Sequence, residues 1–186
     1  MKIPKGYKTL FLDRDGVINV RNKHGYIRNT DEFHFLDNAD KAIVILSHLF
    51  DRIIVVTNQQ GIGKGIMTED ELSKIHFYLV SEIEKKGGRI DAIYHCPKLR
   101  SEKDNCRKPS PQLALWAKED FPEINFKKSI MIGDMDTDIQ MGKTLRMFTV
   151  KVGKENDQKH SDLQADIYVK SLLKFTELLS IQLFDV

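Results

Sequence analysis

Short runs rich in β-branched residues alternate with longer stretches of helical spacing along the 186 residues, and no other feature constrains the fold as strongly. Thr9 to Leu12, Arg52 to Val56, Ile90 to Tyr94, Ser129 to Ile132 and Met147 to Val152 read as strands bounded by Gly, Asp and Asn. Between them, Asn38 to Phe50, Thr68 to Lys86, Pro111 to Phe121 and Asp136 to Leu145 carry apolar residues at helical spacing, and a last helix is expected from Ser171 to Leu183. Their ends carry matching signals: Thr68 with Glu71 makes a capping box, Pro111 suits a first helical position, and Gly87-Gly88 stops the second helix. The expected fold is therefore α/β: a doubly wound, mostly parallel five-stranded sheet with helices on both faces, Rossmann-like. Ligands of such sheets bind beyond the carboxyl ends of the strands, where the strand order reverses. The loops that follow strands carry the functional argument.

Four of those loops hold chemistry-bearing residues. After the first strand come Asp13-Arg14-Asp15-Gly16-Val17-Ile18-Asn19, where two carboxylates converge at one strand end. Such a pair can hold a divalent cation and leave one oxygen free to attack, or it can be a solvated turn. After the second come Thr57-Asn58-Gln59-Gln60-Gly61-Ile62-Gly63-Lys64-Gly65, a hydroxyl and glycines suited to a phosphate cradle, or to a flexible connection. Cys106-Arg107-Lys108-Pro109 sets two cations before a helix start, where exposed N–H groups favour anions; a surface basic turn is the alternative. After the fourth strand, Gly133-Asp134-Met135-Asp136-Thr137-Asp138 offers acids that complete a metal site or cap the next helix, and capping is the better reading of Asp136.

All four fall in chain order at strand ends, and together they resemble the haloacid dehalogenase-like phosphohydrolase superfamily: Asp-x-Asp-Gly, a strand-end Thr, a Lys before a helix and Gly-Asp-x-x-x-Asp. The resemblance covers residues 9 to about 150. Asp-Arg-Asp-Gly-Val-Ile-Asn at 13–19, Thr-Asn-Gln-x-Gly-Ile at 57–62 and Cys-Arg-Lys-Pro at 106–109 narrow it to the group of heptose bisphosphate phosphatases and the phosphatase domain of histidinol-phosphate phosphatase.

The resemblance implies that Asp13 is the nucleophile and forms an aspartyl-phosphate, with Asp15 as acid and base. It implies Mg²⁺ on the carboxylates of Asp13 and Asp134 and the backbone carbonyl of Asp15. Thr57, the Asn58 amide and Lys108 are expected on the transferred phosphoryl group, and Lys108→Ala to lower kcat more than it raises KM. Arg107 is expected to reach the substrate beyond that group, and Asp138 to orient Lys108 or a metal-bound water. The implied reaction is hydrolysis of a phosphomonoester, with the 7-phosphate of D-glycero-D-manno-heptose 1,7-bisphosphate as first choice and histidinol phosphate as second. A phosphate-binding module without catalysis and a polynucleotide-end phosphatase are the readings of other classes.

The chain departs from the group's zinc loop. Lys98 stands where a histidine is expected after Cys96-Pro97, and Asp104 where a cysteine is expected before Cys106. With two of four ligands remaining, structural zinc is not expected; packing or a Lys98–Asp104 ion pair is expected to hold this loop, and Cys96 and Cys106 are expected as thiols. His24, His34, His48, His76 and His160 lack metal-like spacing and are read as surface or packing residues.

The sequence carries 29 Lys+Arg against 27 Asp+Glu, too even a balance to suggest a nucleic-acid or anionic-membrane surface. No apolar run approaches the ~20 residues of a membrane span, and the N-terminus has no secretory h-region. Residues 1–186 are expected to form one cytoplasmic domain without a large cap, acting on a small phosphorylated metabolite as a monomer or weak dimer. The stretch from 154 to 162 is expected as a surface loop.

Overall fold

A computed structural model of the chain describes residues 3, 5–153 and 163–184. The loop expected from 154 to 162 lies outside the described residues. Strands β1 (Thr9–Leu12), β2 (Arg52–Asn58), β3 (Ala92–Cys96), β4 (Ser129–Gly133), β5 (Phe148–Val152) and β6 (Ile167–Val169) form one sheet in the order β3-β2-β1-β4-β5-β6. Every neighbouring pair is parallel. The sheet is one strand wider than the five expected, because β6 spans only three residues and shows no alternation of its own. Pairing with β5, Val150 against Ile167, holds it in the sheet.

Helices α1 (Ala39–Leu49), α3 (Glu69–Glu84), α4 (Gln112–Asp120), α5 (Asp136–Thr144) and α6 (Leu172–Phe184) fill the expected intervals, and a single turn, α2 (Gln60–Gly63), opens the second strand's loop. The capping box is formed: the Glu71 N–H donates to Thr68 Oγ1 (3.2 Å) and the Thr68 N–H to Glu71 Oε2 (2.7 Å). β3 starts two residues later than expected, because the Asp91 carboxylate takes the Ile53 N–H (2.7 Å) and turns the chain there. The shift carries the ladder on to Thr57–His95 and Asn58–Cys96.

Side-chain alternation in strands buried on both faces creates two cores. Leu10, Leu12, Ile53, Val55, Ile130 and Ile132 pack with Ile43, Leu46, Leu72, Ile75, Leu172 and Phe175, from α1, α3 and α6. Their strand neighbours Phe11, Ile54, Val56 and Met131 pack with Leu113, Ala114, Ala117 and Met141, from α4 and α5. The chain runs outward from β1 in both directions, so the strand order reverses between β1 and β4. There the register Leu12–Ile132 sets Asp13 beside Gly133 and Asp134. The segment from β1 to α1 folds on itself through bridges Asp15–Asn19 and Asn19–Phe35, burying Val17, Ile18, Ile27 and Phe33, and forms one wall of the site.

Candidate active site

The site is built around one buried ammonium. Lys108 Nζ forms ion pairs with Asp13 Oδ1 and Asp138 Oδ1, each at 2.7 Å, and donates to the Val56 carbonyl (2.8 Å). The Asn58 side chain fixes the Lys108 backbone, accepting from its N–H (2.9 Å) and donating to its carbonyl (3.3 Å). Asn58 therefore acts on Lys108 as well as lining the pocket where it was expected to meet phosphate. Thr57 is buried, and its Oγ1 accepts from Gln59 Nε2 (2.8 Å).

Two glycines make room for the acids. At Gly16, φ is +99° and an added Cβ would stand 2.2 Å from Asp134 Oδ2; at Gly133 it would stand 2.1 Å from Asp138 Cβ. The motif glycines therefore admit acids as much as they turn the chain.

Asp13 and Asp15 are set in opposite electrostatic states. Burial raises Asp13 to about 6 against the pull of Lys108, with Asp138 and Asp15 adding repulsion. Burial and the neighbouring Asp13 raise Asp134 to about 7. For Asp15, burial is outweighed by Arg14 and by hydrogen bonds from Asn19 and Gln59, so its carboxyl lies below the usual range. Arg14 Nη2 donates to both Asp15 oxygens (3.1 and 3.0 Å), Asn19 Nδ2 to Oδ1 (2.9 Å) and Gln59 Nε2 to Oδ2 (2.9 Å). For Lys108, the two carboxylates outweigh burial and raise its pKa.

Arg14 is fully buried, and its Nη1 stands 3.2 Å from His76 Nε2. An arginine only donates, so that nitrogen accepts and the ring is neutral. Burial, then Arg14 and His95, push His76 down to about 3. Because the folded pKa lies below the ordinary value, the unfolded chain takes the proton first, and stability present above about pH 6.5 is lost as pH falls toward about 3. Between about pH 7 and about pH 5 the parent protein should lose about 2 kcal/mol more stability than His76→Gln, which keeps an acceptor but does not titrate. Urea unfolding of both proteins at the two pH values measures the difference, and parallel losses would exclude a neutral buried His76.

Arg21 completes the acidic end. Its Nη2 lies 2.6 Å from Asp134 Oδ1, donates to the Asp15 carbonyl (2.7 Å) and is 3.7 Å from Asp13 Oδ2. Ligand atoms of Asp13, Asp134 and Asp138 all lie within 4.8 Å of one another, the one such group among the described residues. These are hard oxygens drawn together between two cations, Arg21 and Lys108, which fits a Mg²⁺ site. Arg107 borders the same ≈ 540 Å³ cavity; its Nη1 is buried with no hydrogen-bond partner, and burial, with Arg100 next to it, lowers its pKa.

Three expectations are corrected. Cys96 and Cys106 form a disulfide with Cα atoms 5.6 Å apart, not two thiols, because the loop between them returns its ends to one point. Lys98 donates to the backbone carbonyl of Asp104 (3.0 Å), not to its carboxylate, since Asp104 has a positive φ of 49°. Asp138, not Asp136, accepts the Met135 N–H at the start of α5 (3.0 Å), while Asp136 pairs with Lys151. His95, beside Cys96, meets Glu69 at 2.8 Å.

All eight expected residues, Asp13, Asp15, Thr57, Asn58, Arg107, Lys108, Asp134 and Asp138, gather at the carboxyl ends of the central strands or on the loop facing them. Sequence reasoning gave no role to Arg14, Asn19, Arg21, Gln59 or His76. Arg14, Asn19 and Gln59 lie inside the strand-end motifs, close in sequence to Asp15 and Thr57, which is the available signal; Arg21 and His76 have none.

A profile for HAD-hydrolase-like proteins matches residues 105–175. The chain is 34% identical over 168 residues to the D-glycero-alpha-D-manno-heptose-1,7-bisphosphate 7-phosphatase of Campylobacter jejuni, covering 90% of this chain and 95% of that protein. It is 32% identical over 184 residues to the D-glycero-beta-D-manno-heptose-1,7-bisphosphate 7-phosphatase of Pasteurella multocida, covering 92% and 96%. The crystal structure of the D,D-heptose 1,7-bisphosphate phosphatase of B. bronchiseptica, complexed with magnesium and phosphate, superposes with a TM-score of 0.86 at 25% identity, over 94% of this chain and 99% of that one. Gathered motif loops and full-length likeness agree, and the chain belongs to the haloacid dehalogenase-like phosphatases, in the heptose-1,7-bisphosphate 7-phosphatase family.

Proposed function

We propose that the chain removes the 7-phosphate of D-glycero-D-manno-heptose 1,7-bisphosphate with Mg²⁺ bound. The observation that carries this reading is the buried Asp13–Lys108–Asp138 array beside Asp134, at the strand-order reversal of a sheet shared with heptose bisphosphate phosphatases. Asp13, Asp134 and the Asp15 carbonyl would hold the ion, which supplies positive charge that lets an anionic nucleophile meet an anionic phosphoryl group.

Asp13 attacks phosphorus in line: an O–P bond forms to its carboxylate while the ester P–O bond breaks, and the leaving alkoxide takes a proton from Asp15. Water then attacks phosphorus, gives its proton to Asp15 and releases phosphate with Asp13 regenerated. Clamped by Arg14, Asn19 and Gln59, Asp15 is ionised and suits this second half. To act as acid it turns from Arg14 toward the leaving oxygen, losing the guanidinium that lowers its pKa. Lys108 and Thr57 face the equatorial oxygens, where transition-state charge gathers. Arg107, with its unpartnered buried Nη1, is suited to the 1-phosphate or to sugar hydroxyls.

Phosphate release should depend on Mg²⁺, stop in chelator and favour a heptose bisphosphate anomer over histidinol phosphate when all are offered to the purified protein. Preference for histidinol phosphate would keep the chemistry and replace the substrate. No turnover of any of them would favour a binding role.

A further inference from the structure

Arg21 touches more of the expected metal site than any other side chain. One atom, Nη2, contacts Asp134 Oδ1 (2.6 Å), the Asp15 carbonyl (2.7 Å) and Asp13 Oδ2 (3.7 Å), the three oxygens assigned above to Mg²⁺. A magnesium ion needs such oxygens at about 2.0–2.1 Å and cannot share them with a nitrogen at the same point. The charges are also matched in pairs: Lys108 is taken by Asp13 and Asp138, while the ion pair of Asp134 is with Arg21.

We infer that Arg21 is an internal competitor for the metal: guanidinium and ion hold the same three oxygens in turn, and loading requires the side chain to swing out. The proposal rests on the Mg²⁺ reading above. The surroundings permit the exchange. The backbone beside Arg21 is held, with Val20 donating to the His34 carbonyl (2.8 Å) and Asn19 bridging Asp15 and Phe35, so the movement is confined to the side chain. That side chain is 36% exposed and borders the cavity, which gives the displaced group somewhere to go. Nε of Arg21 is buried without a partner, so the group gives up no hydrogen bond there when it leaves.

Two consequences follow from competition. Arg21 weakens Mg²⁺ binding, because the ion must displace a resident cation, and it steadies the metal-free fold, because it neutralises Asp134. Arg21→Gln removes the charge and keeps a polar side chain of intermediate length. Titration calorimetry with MgCl₂ should show Arg21→Gln binding the ion at least ~10-fold more tightly than the parent. In chelator the variant should melt at a lower temperature, and Mg²⁺ should raise its melting temperature by more than it raises the parent's. If the metal-free variant is too unstable for titration, competition with a chelating dye, starting from protein purified in Mg²⁺, applies the same criterion. Equal or weaker affinity in the variant overturns the competition and leaves the Mg²⁺ reading standing. Absence of Mg²⁺ binding by both proteins overturns the two together.

Discussion

Asp13→Asn is expected to lower kcat by at least ~10⁴-fold while the protein stays folded. The amide oxygen still accepts the Arg14 N–H, now 2.8 Å from Oδ1, so the turn after β1 is kept. What disappears is the negative charge that attacks phosphorus and pairs with Lys108. The stability effect has a defined sign. Burial raises Asp13 to about 6, so its ionisation costs folding free energy, a cost that appears as pH rises from about 4 and is complete above about 6. Asparagine removes that cost and its repulsion with Asp134, while Lys108 keeps Asp138. Above pH ~6 the metal-free variant should therefore unfold at a denaturant concentration no lower than the parent's. Steady-state phosphate release and urea unfolding test the two halves separately. A kcat within tenfold of the parent's would remove Asp13 as nucleophile.

Lys108→Ala should fail in both respects. Its removal leaves Asp13 and Asp138 buried without their shared cation, and breaking a buried pair from one side typically costs about 3–5 kcal/mol. The chemical loss is expected to be ~10³-fold in kcat with little change in KM, since a preorganised donor acts mainly where transition-state charge gathers. Asp13→Asn and Lys108→Ala thus separate two functions of one ion pair: the first variant is inactive and stable, the second inactive and unstable. A Lys108→Ala protein as stable as the parent would show that the carboxylates accept protons or water at no net cost.

Much of this is legible in the amino-acid sequence. Strands with paired apolar faces, Leu10/Phe11/Leu12 or Ile53/Ile54/Val55, announce themselves because burial on both sides leaves no polar residue to blur them. β6 was not legible: three residues carry no period, and pairing with β5 decides their state. The same division runs through the site. Asp13, Asp15 and Asp134 sit at strand ends, where the backbone dictates direction and local sequence suffices. Arg21 meets Asp134 across 113 positions and Arg14 meets His76 across 62, through long side chains whose direction is settled only by the packed fold. The cysteines illustrate a third limit, since a count of two and an expected reducing compartment cannot show that the loop between them closes.

The strand that carries the nucleophile is the first in the chain and lies inside the sheet, between β2 and β4. On a ribosome, β1 can gain one neighbour once residues 52–58 emerge, but its other edge stays open until residues 129–133 are made. Asp134 and Asp138 come only after four of the six strands. Catalytic competence is thus acquired late in synthesis, and a nascent chain halted before β4 would expose an apolar edge for chaperones to cover.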